Sequence, residues 1–145
     1  IANTIAEKLG VEAINVTDFS ADTIANHDNL ILGTSTWGAG ELQDDWYDGV
    51  NVLKDADLSG KTVAIFGCGD SESYSDTFCA AMKEIYDAAE GANIIGSVST
   101  DGYTFDDSDA VVDGKFIGLA LDDVNEDDKT EGRIDAWLDS IKGSL

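Results

Sequence analysis

The chain is 145 residues long and 43% apolar, enough for one domain with a full core. Its 30 acidic residues outnumber 8 basic ones, and the net charge of −22 makes nucleic acid and anionic membrane surfaces poor partners and basic protein surfaces good ones. Two cysteines and one histidine give no metal-ligand spacing and no disulfide framework, which implies reduced thiols in the cytoplasm; no apolar run reaches membrane-spanning length.

Ile1, Ile5 and Leu9, with Ala2 and Ala6, fall on one helical face, and Gly10 is placed to cap that helix. Residues 11–16 read as a short strand. Residues 18–28 form a polar connection with room for one helical turn, and His27 within it reads as a solvated loop residue. Residues 30–33 (Leu-Ile-Leu-Gly) are a buried strand. Across residues 41–53, Leu42, Trp46, Val50 and Leu53 recur at helical spacing. A turn at residues 58–61 leads to a second buried strand at residues 62–67. Residues 75–90 are the clearest helix, with Phe78, Ala81, Met82, Ile85 and Ala88 or Ala89 as its buried stripe and Gly91 at its end. A strand at residues 93–98 precedes a long segment, residues 99–129, rich in acids. Lys115 to Leu121 within it reads as a resumed strand, so the last strand is interrupted by an insertion of roughly twenty residues. The final helix places Ile134, Trp137, Leu138 and Ile141 on one face. Short buried strands alternating with helices argue for an α/β fold, a parallel sheet covered on both faces, in one domain.

Two strand ends carry the chemistry. The first buried strand runs into Thr34, Ser35, Thr36, Trp37, Gly38, Ala39 and Gly40; the second runs into Cys68, Gly69, Asp70 and onward to Tyr74. In open α/β sheets, ligands collect outside the carboxyl ends of the strands. Trp37 and Tyr74 are each flanked by small residues and could sandwich a planar heteroaromatic ring. The plainer alternative is that each ring only covers the sheet edge.

The run from Ser35 to Trp46 resembles the first isoalloxazine loop and following helix of flavodoxins, the run from Ala64 to Cys79 their second isoalloxazine loop, and the run from Phe116 to Asp122 the strand resumed after the insertion of their long-chain members. The resemblance implies a flavodoxin-like, doubly wound parallel sheet of three layers, a non-covalent FMN and a low-potential one-electron carrier. It places Ser35, Thr36, Trp37, Gly38, Gly69, Asp70, Tyr74 and Cys79 at the flavin, with Trp37 and Tyr74 on opposite faces. The peptide after Gly38 is expected to rotate on reduction, since glycine tolerates positive φ. The partners implied are basic patches on a reductase and on an electron acceptor, met by a monomer. Flavodoxins open with a strand and a Ser/Thr- and Gly-rich phosphate loop, whereas this chain opens inside the helix that follows. The resemblance thus implies a further piece of roughly fifteen to twenty residues ahead of Ile1, its strand lying mid-sheet between residues 11–16 and 30–33.

Three other readings compete. A regulatory receiver domain needs a phosphoacceptor Asp where Gly33, Thr34 and Ser35 stand. An FMN-dependent quinone reductase needs room for a second substrate over the ring. A cofactor-free acidic interaction domain needs only the charge.

Overall fold

The computed structural model describes residues 1–37 and 40–145, with Trp37 described for its backbone alone. Five α-helices are present among them: α1 (Ala2–Leu9), α2 (Ala21–Ala25), α3 (Trp46–Asp55), α4 (Met82–Ala88) and α5 (Asp127–Ile141). The strands are β1 (Asn29–Trp37), β2 (Glu41–Leu42), β3 (Thr62–Cys68), β4 (Asn93–Ile95), β5 (Val98–Ser99), β6 (Val111–Val112), β7 (Lys115–Phe116) and β8 (Leu119–Leu121).

β1 and β3 run parallel from Asn29 opposite Thr62 to Ser35 opposite Cys68. β4 and β8 share the other edge of β3. β4 pairs in parallel with Thr62 to Ala64, and β8 pairs in parallel with Phe66 to Cys68. This is one interrupted strand, as expected from the sequence. The chain leaves it at Gly96 (φ 86) and re-enters at Gly118, where a Cβ would lie 2.1 Å from the Ile65 carbonyl oxygen. Between these points β5, β7 and β6 form a separate antiparallel sheet.

The middles of β1 and β3, residues 30–33 and 63–67, are apolar because both faces are covered. Leu30, Leu32, Val63 and Ile65 pack on one side with Trp46, Val50 and Leu53 of α3 and Met82 and Ile85 of α4. Ala64, Phe66, Leu119 and Leu121 pack on the other with Ile5 of α1 and Ile134, Trp137, Leu138 and Ile141 of α5. The result is a three-layer α/β fold with a mostly parallel sheet.

Four expectations change. Residues 11–15 are not a strand, and Val16–Asp18 close a 3-10 turn. A strand requires a ladder partner. Between residues 11–15 and β1 lies a largely apolar groove of about 950 Å³, onto which Ile5, Leu9, Val11, Ile14 and Leu30 open. Val11 and Ile14 are accordingly exposed. The strand expected at residues 30–33 is nine residues long, held by β3 as far as Ser35 and by β2 at Thr36 and Trp37. That pairing takes Glu41 and Leu42 out of the expected helix, which starts at Trp46.

The helix expected at residues 75–90 is the fourth. It shortens to α4, although Phe78, Ala81, Met82, Ile85, Ala88 and Ala89 are all buried as expected. The insertion captures the missing turns. The backbone N–H groups of Asp106 and Asp107 donate to Ser75 O (2.8 and 3.0 Å), and Phe78 N donates to Asp107 O (3.3 Å). Ser108 Oγ donates to Phe78 O. Phe78 is enclosed by the rings of Tyr103, Phe105 and Phe116. Long-range partners here replace local helical ones.

Candidate functional site

β1 and β3 are parallel neighbours, so the segments following them leave the same edge of the sheet. This brings together two stretches that are 30 to 40 residues apart in the chain. The two segments touch behind the edge. A Cβ on Gly40 would stand 3.2 Å from Ala80 and 3.5 Å from Thr77, and Ala81 N donates to Thr36 Oγ1 at 3.2 Å. Ser35 and Thr36 are therefore in place at the end of β1, beside Cys68 at the end of β3. Gly38 and the Trp37 side chain lie outside the described residues, and with them the expected peptide rotation.

Gly69, Asp70 and Tyr74 form one turn. Gly69 N donates to Leu121 O (2.9 Å), and Tyr74 N donates to Asp70 O (2.9 Å). Asp70 Oδ1 accepts from Glu72 N (3.1 Å) and Ser73 N (2.9 Å). The Ser73 amide, then the Asn125 side chain, hold the Asp70 carboxyl below the usual carboxylate range. Tyr74 leaves 47% of its surface exposed, a large flat ring at the sheet edge with no aromatic partner among the described residues. Gly69 lies so close to residue 79 that a Cβ would meet Cys79 N at 2.8 Å.

Cys79 is buried and sits at φ 52, a region few side chains adopt. Its thiol lies 3.6 Å from Leu121 O and 3.7 Å from Gly67 O, and burial pushes its pKa up. Burial likewise pushes the Cys68 thiol up to about 11. Neither sulfur is an activated nucleophile. Both cysteines are free, and no cluster of three or more metal-ligating side chains exists among the described residues.

The sequence reading missed Thr77, Ser71, Asp122 and Asn125. Thr77 Oγ1 is buried without a hydrogen-bond partner, in the segment that faces Gly40. Asp122 is fully buried and accepts from Ser71 and Asn125. The Asp-x-x-Asn spacing at the start of α5 is the one signal that could have found that pair, since an Asx side chain commonly accepts from a backbone N–H a few residues on.

The family profile described as flavodoxin matches residues 1–137. Flavodoxin 1 of Azotobacter vinelandii is 43% identical over 147 residues, covering 95% of this chain and 84% of that protein. The flavodoxin of Helicobacter pylori is 39% identical over 146 residues, covering 100% and 89%. Among solved structures, Fusobacterium nucleatum flavodoxin bound to flavin mononucleotide superposes with a TM-score of 0.90 at 32% identity, covering 99% of this chain and 87% of that one.

Proposed function

Because the chain belongs to the flavodoxin family, we propose that it binds FMN between the loops following β1 and β3 and carries electrons between redox proteins. It is an electron carrier, not an enzyme. When bound, the flavin supplies the redox chemistry; the chain's residues bind, orient and shield it.

The residues present fit the ring. Tyr74 offers a half-exposed aromatic face, and Trp37 ends the neighbouring strand. Gly40 and Gly69 hold the two loops close behind them. Thr77 Oγ1 is an unpaired polar atom suited to the ring's polar edge. In our reading Ser35, Thr36, Gly38, Gly69, Asp70 and the Cys79 backbone complete the contacts. The observation that carries the proposal is this meeting of two loops at one edge, one of them bearing an uncovered phenol.

The groove beside β1 has the shape of a strand site. An extended segment laid in the groove parallel to β1 would pair with residues 29–34 and bring its carboxyl end to the start of α1. Ile1 packs there against the cluster that includes Cys68 and Phe66, and the first-turn N–H groups of a helix suit a phosphate. The interrupted strand supports assignment to the long-chain type. The net charge of −22 supports basic docking patches on a reductase and an acceptor. We assign the carrier to the cytoplasm as a monomer; no helix among the described residues is long and apolar enough to cross a membrane.

The test is direct. The protein should quench the fluorescence of added FMN, and a reductive titration should resolve two one-electron steps. Tyr74→Ala should weaken FMN binding about tenfold, since stacking on an aromatic is worth ~1–3 kcal/mol. A protein that leaves FMN fluorescence untouched overturns the reading.

A further inference from the structure

Among the described residues Asp122 is the one carboxylate with no exposed surface, and nothing in ring binding as described above uses it. Four donors converge on it. Ser71 N (3.2 Å) and Ser71 Oγ donate to Oδ2, and Asn125 N (3.0 Å) donates to Oδ1. Asn125 Nδ2 stands 3.0 Å from Oδ2 and 3.2 Å from Oδ1. The same Nδ2 donates to Asp70 Oδ1 at 2.8 Å. A neutral amide thus bridges two carboxylates, one of them buried. Asp70 in turn caps Glu72 N and Ser73 N, and its own carbonyl oxygen accepts from Tyr74 N.

We propose that Asp122 and Asn125, from the turn between β8 and α5, are positioning residues that fix the 70–74 loop and so aim Tyr74 at the flavin.

Three features require it. The Tyr74 ring is only half covered, so side-chain packing does not hold it and the backbone of its loop must. That backbone is tied to Leu121 of β8 at Gly69 and to Asp122 at Ser71, and the Asp70 side chain is tied to Asn125. The Ser71 and Asn125 backbone N–H groups, the Asn125 amide and the Ser71 hydroxyl all donate to Asp122. An acceptor-only group satisfies all of them, whereas an asparagine would turn an NH₂ toward either Ser71 or Asn125. A buried carboxylate persists only where its partners are this complete. Asn125 is exposed, so its role is the bridge and not core filling.

This inference rests on the FMN reading, and the experiment separates the two. Asn125→Ala should raise the dissociation constant for FMN about tenfold, the scale of one hydrogen bond to a charged group. In a Tyr74→Ala background the same change should cost less than about twofold, because the effect acts through that ring. Without FMN, the amides of Ser71 to Tyr74 should exchange faster in Asn125→Ala while those of β3 do not. Ser71→Ala, which keeps the Ser71 N–H, should give a smaller effect in the same direction. If the parent protein binds no FMN, the functional reading fails. If it binds FMN, and Asn125→Ala either binds equally well or loses affinity equally with and without Tyr74, the positioning role is overturned.

Discussion

Asn125 donates to two acids, and the pH dependence of stability follows. The Ser73 amide and then Asn125 hold Asp70 below the usual carboxylate range. For Asp122, burial alone would raise the pKa; the donors from Ser71 and Asn125 outweigh it and hold the carboxyl low. A carboxylate with a depressed folded pKa stabilises fully above its unfolded value of about 3.9, and that contribution disappears as pH falls through the folded value. Removing a shared donor should therefore matter at neutral pH and not in acid. Asn125→Ala should be less stable than the parent at pH 7, and the difference should shrink at a pH well below the unfolded carboxylate value of about 3.9. Urea denaturation at both pH values checks this, and a constant difference would show that the bridge does not act through the two charges. Small residues single out Trp37 and Tyr74 in the sequence, and the structure leaves Tyr74 half-exposed in the loop after β3. Asp122 was not legible there, since the chain is full of acids and nothing in a sequence marks which one becomes buried.

At the scale of elements, apolar periodicity located the buried stripes of the main helices and of β1 and β3, and hydrogen-bond partners decided which stripes became helix or strand. Phe78, Met82 and Ile85 are buried where helical spacing puts them, yet the backbones of Ser75 and Phe78 bond to the insertion. Those partners lie 30 residues further along, beyond the reach of a local pattern. Residues 11–15 show the converse: the sequence has strand character, but the neighbouring edge is a groove's width away. The insertion is thus structural support for the second loop. Ser108 is its pin, buried, donating to Phe78 O and accepting from Ala110 N at 3.1 Å. Ser108→Ala leaves both backbone groups without that partner. It should destabilise the fold by about 1–3 kcal/mol. A shift in the urea midpoint measures it. The same variant should lower exchange protection around Thr77, and an unchanged midpoint would mean that the aromatic cluster of Phe78, Phe105 and Phe116 alone holds the segment.

For the molecule as a whole, the decisive quantity is charge, because the proposed ring site at one edge leaves little else to direct a partner. Glu41 is exposed beside the first loop, and Glu72 and Asp76 on or next to the second. Each opposes the arrival of an electron and attracts a basic surface. In water a unit charge about 8 Å away contributes about 0.5 kcal/mol, which corresponds to on the order of 20 mV for one electron. Changing all three to Gln or Asn should therefore raise the lower potential by roughly 60 mV at low salt. The same triple change should slow association with a basic redox partner and flatten its dependence on ionic strength, since steering is screened over about 10 Å at 0.1 M salt. Potentiometry and stopped-flow mixing at two salt concentrations read the two effects separately. A raised potential with an unchanged salt slope would move the docking surface away from the flavin edge, onto acids elsewhere on the molecule. Loss of both effects would show that the surface charge acts on neither step.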